Sequence, residues 1–545
     1  MPIKRLLVFI LMLTLCAGIS GCDGGFMGGG DETAQTERSA DLYFPMERVR
    51  TLNPVSGMDE DCYNISKLIY QGLFALCTDA VPYPQLAESA EYSEDGEKIT
   101  VVLRKGIKWS DGNDFTASDV KFSYDAHMGL SRSGASLYTP YLQGIQSVKV
   151  SDSYKVVFTF RSKEECVLEN LTVPIVPAHQ FTSVSAARAV KDDFVPIGTG
   201  PYRVTKADIY DGVVLEANSY YSGDSVQNTI TFIIMPDKSN ALNLFEIGAI
   251  DFTVLRGVDR DTLLNNVEVE EIPFLSNEVE FIGFNFNRTA TAKRAVRWAA
   301  AYAVDRESIL SYAYYGNGQL NDTIYYPGYL GAESNSDAYA YNTKMARSTL
   351  LKSGYKDNDG DGILESADGT PLSLELVVNS DNHCRVQAAK TIASGLKSSG
   401  IGVTVTELEW EAYSAALARG DYDLYIGGAR FRDCSEIRGY LYTGNRIGYE
   451  NTKVNQKLDQ MLGLSEEEKK ALFAELQDTL IKDLPYYCLL YKTYGAIIPE
   501  GLEGTVSSSC FNIYNGVETF SVQRFKAAPG DEKEGDAAEE EEEAE

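Results

Sequence analysis

The segment that decides the fold is residues 99–126, which read ITVVLRKGIKWSDGNDFTASDVKFSYDA. Residues 99–103 are β-branched or aliphatic and predict a strand. Asp111-Gly112 is a turn dipeptide, because glycine accepts a positive φ. Thr116 and Asp119 have the spacing of a capping box, in which both side chains satisfy backbone N–H groups at the start of a helix. The segment therefore predicts a strand, a turn and a capped helix, in that order.

The same segment resembles a signature of the family 5 extracellular solute-binding proteins, the oligopeptide- and dipeptide-binding proteins of ABC importers. That signature is close to L-R-x-G-x-x-W-S-D-G-x-x-F-T-A-x-D-V, and residues 103–120 match each fixed position. Other family motifs follow in the expected order: PIGTGPY at 196–202, FNFN at 284–287, KRAVR at 293–297, AVDR at 303–306, GDYDL at 420–424 and GG at 427–428. The resemblance covers roughly residues 41–525.

Strand and helix patterns alternate over this region, as is typical of α/β domains. The predicted strands are 42–44, 154–160, 372–378 and 403–408, and the predicted helices are 65–76, 292–304, 385–398 and 466–482. The resemblance implies a bilobal periplasmic-binding-protein-like clamshell, type II and similar to cluster C, with an extra subdomain. In the PIGTGPY motif, Gly198 and Gly200 permit unusual backbone angles, as a chain crossing between lobes requires.

The length of 545 residues predicts roughly three domains. The resemblance arranges them as two lobes, with the chain crossing between the lobes near residues 285 and 488. The expected parts are a signal peptide at 1–21, a flexible tether at 22–40, lobe I at 41–61 with 190–285 and 489–525, its subdomain at 62–189, lobe II at 286–488, and an acidic disordered tail at 526–545.

The N-terminus predicts export and lipid anchoring. Lys4 and Arg5 precede an apolar run at 6–15, which is too short to span a bilayer but is typical of a secretory signal. The run leads to Ile-Ser-Gly-Cys at 19–22, which resembles the bacterial lipobox and implies lipidation of Cys22. The alternative is an ordinary signal peptide with an incidental cysteine. We expect a protein anchored to the outer face of the cell membrane, on the periplasmic side or the cell surface.

The charge distribution excludes some partners. The chain has 79 acidic and 49 basic residues, a formal net charge of −30. Binding to nucleic acid or to anionic lipid through a basic face needs clustered Lys and Arg, so neither is expected. Residues 531–545 contain ten acidic residues and one lysine, without a large apolar side chain. We interpret this tail as a solvated, disordered segment.

Cysteine usage leaves the redox state open. Of nine cysteines, Cys16 is lost with the signal and Cys22 takes the lipid, so seven remain and at least one must be free. No CxxC pair is present, so no zinc or thioredoxin-like site is predicted. Cys62 and Cys77 lie about 22 Å apart if one helix contains both, whereas a break at Gly72 would allow them to pair. Seven free thiols are a further alternative.

The candidate ligand residues follow strand-forming residues near 430. Family members often place an aspartate after G-W-x-x-D to bind the ligand's ammonium group, and here Asp433 matches while Arg430 replaces the tryptophan. Arg430 and Arg432 beside Asp433 make a dipolar site that suits a zwitterion or an acidic ligand. Alternatively, Asp433 only pairs with the neighbouring arginines. Further candidates lie in segments that approach the cleft in the family: Trp410, Tyr413 and Arg385.

Residues 357–362, DNDGDG, have the start of a calcium loop. Asp357, Asp359 and Asp361 occupy positions 1, 3 and 5, but position 12 is Asp368 instead of the usual glutamate. The family carries similar loops as turns, so a turn is the preferred interpretation and calcium the alternative. We predict no cofactor.

The sequence favours a binding protein over an enzyme. It lacks G-x-S-x-G, H-E-x-x-H, a P-loop and G-x-G-x-x-G. The resemblance implies a monomeric lipoprotein that captures oligopeptides or similar small solutes and delivers them to an ABC permease, with ATP hydrolysed on partner subunits. Alternatives are a secreted hydrolase, a ligand-sensing receptor on the same clamshell, or a binder of nickel chelates, opines or sugars.

Overall fold

A computed structural model describes residues 36–525 except 40, 133, 135, 209, 237–240, 258–259, 261–263, 265–268 and 333–337. Residues 38–523 form one compact unit. A second unit comprises residues 1–37 and 524–545. Its described residues belong to the strands Thr36–Ser39 and Val522–Phe525, which pair in a two-stranded sheet. Residues 36–39 of the predicted tether are therefore a strand. The signal peptide, Cys22 and the acidic tail lie outside the described residues.

The unit of residues 38–523 mixes strands and helices throughout. With the two outer strands as β1 and β19, the other strands are β2 Asp41–Glu47, β3 Phe74–Leu76, β4 Pro82–Pro84, β5 Ala87–Tyr92, β6 Lys98–Leu103, β7 Ile145–Asp152, β8 Lys155–Phe160, β9 Tyr202–Asp208, β10 Gly212–Ala217, β11 Thr229–Met235, β12 Thr253–Leu255, β13 Val269–Phe284, β14 Gly318–Gln319, β15 Ser373–Asn379, β16 Gly402–Leu408, β17 Leu424–Arg430 and β18 Tyr486–Pro499. The helices are α1 Glu60–Ile69, α2 Ala117–Ser131, α3 Thr139–Leu142, α4 Val184–Ala187, α5 Ala241–Glu246, α6 Arg294–Tyr302, α7 Arg306–Ala313, α8 Thr343–Lys352, α9 His383–Ser398, α10 Trp410–Arg419, α11 Arg438–Leu441, α12 Thr452–Gln460 and α13 Glu466–Asp483.

The family signature folds as the sequence predicts. β6 pairs with β5 and β8 in a four-stranded antiparallel sheet of order β5-β6-β8-β7. Thr116 and Asp119 form the capping box of α2, in which the backbone N–H of Thr116 donates to the Asp119 carboxylate over 2.9 Å. The apolar signature positions Leu103, Trp109 and Phe115 are fully buried in one core. The polar turn and capping residues of the signature therefore shape the chain around that core.

Two further sheets belong to the α/β architecture, beside the two-stranded sheet of β3 and β4. One has the order β2-β11-β10-β9, with β2 and β11 parallel. The other has the order β12-β18-β13-β17-β15-β16, with β14 against β18. β13 and β18 pair along almost their whole lengths, and their register shifts between Leu275 and Val279. The fold is the predicted two-lobed α/β clamshell, whereas the exact lobe boundaries stay predictions.

The glycines of PIGTGPY serve close packing instead of unusual backbone angles. Neither Gly198 nor Gly200 has a positive φ. The N–H of Gly200 donates to the carbonyl of Ile69 over 2.8 Å, at the C-terminal end of α1. A Cβ atom added at Gly200 would lie 2.7 Å from that oxygen, and one at Gly198 would overlap it. The motif thus lets two backbone segments touch, which only glycine allows.

Replacing Gly198 with Ala should therefore destabilise the protein by about 1–3 kcal/mol, because the added methyl group meets a backbone carbonyl that cannot rotate away. Gly439→Ala is the matched control, since a Cβ at Gly439 meets nothing within 4 Å. Thermal unfolding measured by calorimetry compares the two variants. Equal melting temperatures for the two would contradict this packing role.

The structure shortens one predicted helix, and its cysteines follow one of the alternatives that the sequence left open. The helix predicted at 65–76 ends at Ile69, and Phe74–Leu76 is a strand, because the chain breaks around Gly72. All seven cysteines that follow Cys22 are free, including Cys62 and Cys77. Burial, followed by the charges of Asp59 and Asp61, raises the pKa of Cys62 to about 12, so this thiol is unreactive at neutral pH. Among the described residues, no helix combines the length and apolar character needed to cross a membrane.

Candidate solute-binding cleft

Two cavities adjoin helix α1 and the loop 509–515. The first has a volume of about 350 Å³ and the second about 390 Å³. α1 contributes Tyr63, Ser66 and Lys67 to the first cavity, and Glu60 and Asn64 to the second. Volumes of this size suit small solutes or peptide segments.

The first cavity is rich in tyrosine. Its walls carry aromatic rings and amide side chains: Tyr63, Tyr70, Tyr83, Tyr138, Tyr141, Gln85, Asn512 and Asn515. The ammonium group of Lys67 lies 4.7 Å from the centre of the Tyr63 ring. Tyrosine offers an apolar face and a hydroxyl group together, which suits the binding of solutes with both characters.

The second cavity has acidic walls. Its carboxylates come from Glu47, Asp59, Glu60 and Asp61. Asp61 accepts a hydrogen bond from the backbone N–H of Glu47 over 2.6 Å, and Asp59 accepts one from Arg50 over 3.1 Å. Glu60 forms an ion pair with Arg256, which follows β12. Backbone contacts thus fix two of the carboxylates, while Glu60 holds a cation.

A row of charged side chains runs along β13, β17 and β18 to the start of α9, and we call it the charged row. It consists of Arg430, Glu278, Lys492, Glu280 and Arg385. The Lys492 ammonium lies 3.1 Å from both carboxylates, and Arg385 donates to Glu280 over 2.7 and 3.2 Å. The ion pairs are therefore continuous from Arg430 to Arg385.

Strand geometry explains this row. Glu278 lies in the stretch where the register of β13 against β18 shifts, and β-bulges of this kind redirect side chains. Glu278 is also the direct partner of Arg430 in the β13–β17 ladder. Gly428 lacks a side chain where the Arg385 guanidinium passes. Partial burial raises the pKa of Glu278, but Arg430 and Lys492 outweigh it and lower that pKa to about 2.

The structure separates the predicted ligand residues into groups. Arg430 and Arg385 belong to the charged row, at its two ends. The Trp410 side chain is exposed, and its ring lies 5.8 Å from that of Tyr413. Tyr413 is buried, and its hydroxyl donates to the Ile426 carbonyl over 2.8 Å.

Arg432 and Asp433 form the remaining group. The Asp433 side chain is fully buried and accepts hydrogen bonds from the backbone N–H of Ser435 over 2.9 Å and from the Arg432 guanidinium over 2.5 Å. It caps the short 3₁₀ helix Cys434–Ile437. The guanidinium of Arg432 lies 4.5 Å from the centre of the Tyr141 ring, beside the first cavity. The carboxylate is thus engaged within the chain, as in the alternative reading of the sequence.

Four charged residues of this region are not among the ligand residues predicted from the sequence: Arg256, Glu278, Glu280 and Lys492. A signal was present for two of them. In residues 278–284 of β13, which read EVEFIGF, the two glutamates are the only charged residues. Because Glu278 and Glu280 are alternate residues of a strand, they share one face of the sheet. Charged residues on a half-buried strand face need partners, which points to an ion-pair site.

The acidic loop differs in detail from the calcium pattern. The carboxylates of Asp357, Asp359, Asp361 and Glu365 lie within 4.8 Å of one another. Asp368, the predicted twelfth ligand, is outside this group, and accepts a hydrogen bond from the Thr370 N–H over 3.1 Å. The guanidinium of Arg347 donates to Asp357 over 3.1 Å, so a cation already neutralises part of the loop. This contact fits the interpretation as a turn.

These features define a class: a two-lobed α/β protein with two polar cavities and a row of paired charged side chains. The sequence profile of the bacterial extracellular solute-binding proteins, family 5 Middle, matches residues 81–444. The chain therefore belongs to the family 5 extracellular solute-binding proteins. It is the substrate-binding component of an ABC transporter and not an enzyme, as the motifs predict.

Relatives agree with this assignment, and a solved structure agrees with the fold. The oligopeptide-binding protein AppA of Bacillus subtilis is 26% identical over 538 residues, with 94% of this chain and 97% of the relative covered. The nickel-binding periplasmic protein of Escherichia coli is 28% identical over 351 residues, with 62% and 65% covered. The structure of the periplasmic murein tripeptide-binding protein MppA, in its unliganded open form, has a TM-score of 0.75, with 18% identity and 90% and 98% coverage.

Proposed function

We propose that this protein captures peptides or similar small solutes outside the membrane and delivers them to an ABC permease. The observation that carries the proposal is the edge of β17. β15 pairs with β17 only at Leu424 and Tyr425, and no described strand pairs with that edge at residues 426–430. A strand edge without a partner strand can bind an extended peptide through main-chain hydrogen bonds. Residues 428–430 are the partly or fully exposed part of this edge, whereas Ile426 is buried and its carbonyl accepts from the Tyr413 hydroxyl.

The surroundings of this edge supply side-chain contacts in the proposal. Arg430 ends the strand, and its side chain is 61% exposed. Arg432 contributes its guanidinium beside the tyrosine-rich first cavity, with Asp433 holding it in place. Trp410 offers an exposed ring. Arg385 and Tyr413 contribute indirectly, because they donate hydrogen bonds that hold the Glu280 carboxylate and the Ile426 carbonyl in place.

We further propose that the protein is a monomer held on the outer face of the cell membrane by lipid on Cys22. The lipobox at 19–22 and the apolar run before it support this. Several acyl chains would hold the protein firmly, since each buried CH₂ adds about 0.8 kcal/mol of membrane affinity. Mass spectrometry of the N-terminal peptide from the native membrane tests the anchor, and an unmodified Cys22 would contradict it.

The peptide proposal predicts a dependence on backbone N–H groups. Peptides identified by mass spectrometry as co-purifying with the protein should bind again with measurable affinity in calorimetry. N-methylation at alternate residues should weaken binding about tenfold at one set of positions and little at the other, because alternate N–H groups of a strand face opposite edges. Equal tolerance at all positions would contradict strand addition. A purified protein that carries only a metal chelate or glutathione would instead favour the ligand class of other relatives.

A further inference from the structure

Two arginines from different segments meet at one tyrosine of the cleft. Tyr494 lies on β18, near the register shift. The Arg256 guanidinium carbon is 5.5 Å from the centre of its ring, and Nη2 of Arg430 is 3.4 Å from its hydroxyl oxygen. Arg256 belongs to the wall of the second cavity, and Arg430 ends β17. One aromatic side chain thus connects the second cavity with the charged row.

Each of the two guanidinium groups has N–H groups that donate to no described acceptor. Arg256 donates from Nη2 to Glu60, and Arg430 donates from Nε and Nη2 to Glu278. Among the described residues, Nη1 of both arginines and Nε of Arg256 contact no acceptor. The two side chains are 38% and 61% exposed. Each therefore has N–H donors without a protein acceptor, on a side chain that is exposed to solvent.

The direct ion pairs of this region join four cations to three carboxylates. Its described cations are Arg256, Arg385, Arg430 and Lys492, and the carboxylates that they contact are those of Glu60, Glu278 and Glu280. Three further carboxylates, those of Glu47, Asp59 and Asp61, line the second cavity, so the site is defined by the N–H donors of the two arginines and not by an excess of positive charge. Glu278 accepts from Lys492 and from the Tyr494 hydroxyl as well, so it keeps partners if Arg430 turns away.

We propose that Arg256 and Arg430 together bind a carboxylate of the solute. The planar guanidinium group matches a carboxylate through two parallel N–H···O bonds, and two such groups can bind both oxygens. The site rests on the proposed function, because it lies next to the strand edge at which we place the peptide. It selects solutes with an acidic group near Tyr494, which is either a C-terminal carboxylate or an acidic side chain.

Four alanine-based pentapeptides separate these two sources. The first pair is the free acid and the C-terminal amide of pentaalanine. The second pair is two C-terminal amides with either Glu or Gln as the third residue. We expect the acidic member of at least one pair to bind the wild-type protein about tenfold more tightly than its neutral match. A preference in the first pair identifies the C-terminus, and one in the second identifies a side chain.

Arg256→Gln and Arg430→Gln should each reduce that preference to within about twofold, while Arg203→Gln should keep it. Arg203 is an exposed control with its own ion pair to Glu216. Melting temperatures verify that the exposed substitutions leave the fold intact. Equal binding of acidic and neutral pentapeptides, or a preference that survives in both cleft variants, would overturn the inference while the peptide proposal stands.

If no pentapeptide binds, the solutes that co-purify with the protein decide the question. Carboxylate-bearing solutes that disappear from Arg430→Gln would support the arginine site even where they are not peptides, and would then contradict the peptide proposal alone. Neutral or cationic solutes retained by both arginine variants would contradict the arginine site.

Discussion

Replacing Glu169 with Gln is expected to stabilise the protein at pH 7.5 by up to about 3 kcal/mol. Glu169 lies in the 3₁₀ helix Leu168–Leu171 and is 2% exposed. One of its carboxylate oxygens, Oε2, has no partner among the described residues. The negative charges of Asp433 and Glu466 act on it, with Lys469 as the opposing cation. A buried carboxyl group in such surroundings favours its neutral form.

The direction of the pH dependence follows from this burial. Burial, followed by the charge of Asp433, raises the pKa of Glu169 from its ordinary value of 4.5 to about 7. Because the folded protein holds this proton more tightly than the unfolded chain, the favourable contribution is complete below about pH 4.5. It is lost as the pH rises toward 7. Each pKa unit corresponds to about 1.4 kcal/mol, which gives the stated upper limit.

Glutamine resembles the neutral carboxyl group and does not titrate, so Glu169→Gln should remove the decline in stability between about pH 4.5 and 7. Thermal unfolding at half-unit steps of pH measures this. Glu88→Gln is the control, since Glu88 is exposed and should leave the profile unchanged. If the wild-type and Glu169→Gln profiles run parallel across this window, Glu169 does not carry the raised pKa.

Local patterns explain why much of the fold is predictable from the sequence. The strand at residues 98–103 alternates buried positions with partly or fully exposed ones, and the capping box fixes the start of α2 within one residue of its prediction. Such features depend on neighbours a few residues apart. The helix predicted at 65–76 ends at Ile69 in the structure. The helical periodicity of the sequence continues past Gly72, but the backbone there lies close to the carbonyls of Phe74 and Thr172, which breaks the helix.

The contacts of the cleft are not local, which limits their prediction. Arg430 and Glu278 are 152 residues apart, and Arg385 and Glu280 are 105 apart. Their pairing depends on the register of β13 against β17 and on its shift against β18, and no local pattern specifies either. The sequence identified Arg430, Arg432 and Asp433 through the family motif. It could not show that Asp433 is buried beneath Arg432 and Ser435. Whether these residues contact the solute stays a prediction.

The largest loss of stability is expected from Arg260→Met, at about 3–5 kcal/mol. The Arg260 side chain is fully buried. It forms an ion pair with Glu271 over 2.5 Å, and donates to the Thr493 carbonyl over 2.7 Å and to the Asn317 side chain over 2.8 Å. Methionine fills a similar volume but supplies no donor. The substitution therefore leaves buried acceptors and a carboxylate without their partner.

The position of Arg260 makes this effect more than local. Thr493 is the β18 residue that pairs with Leu275, the last pair before the register shift between β13 and β18. The Arg260 guanidinium thus links β18 at Thr493 to β13 through Glu271, and to the segment before β14 through Asn317. Calorimetric unfolding of Arg260→Met should show the loss, whereas Arg203→Met, which removes an exposed ion pair, should cost at most about 1 kcal/mol. Hydrogen exchange should also accelerate at residues 491–495 in Arg260→Met alone. Comparable losses in both variants would mean that burial of this guanidinium contributes nothing specific to the strands on which the cleft is built.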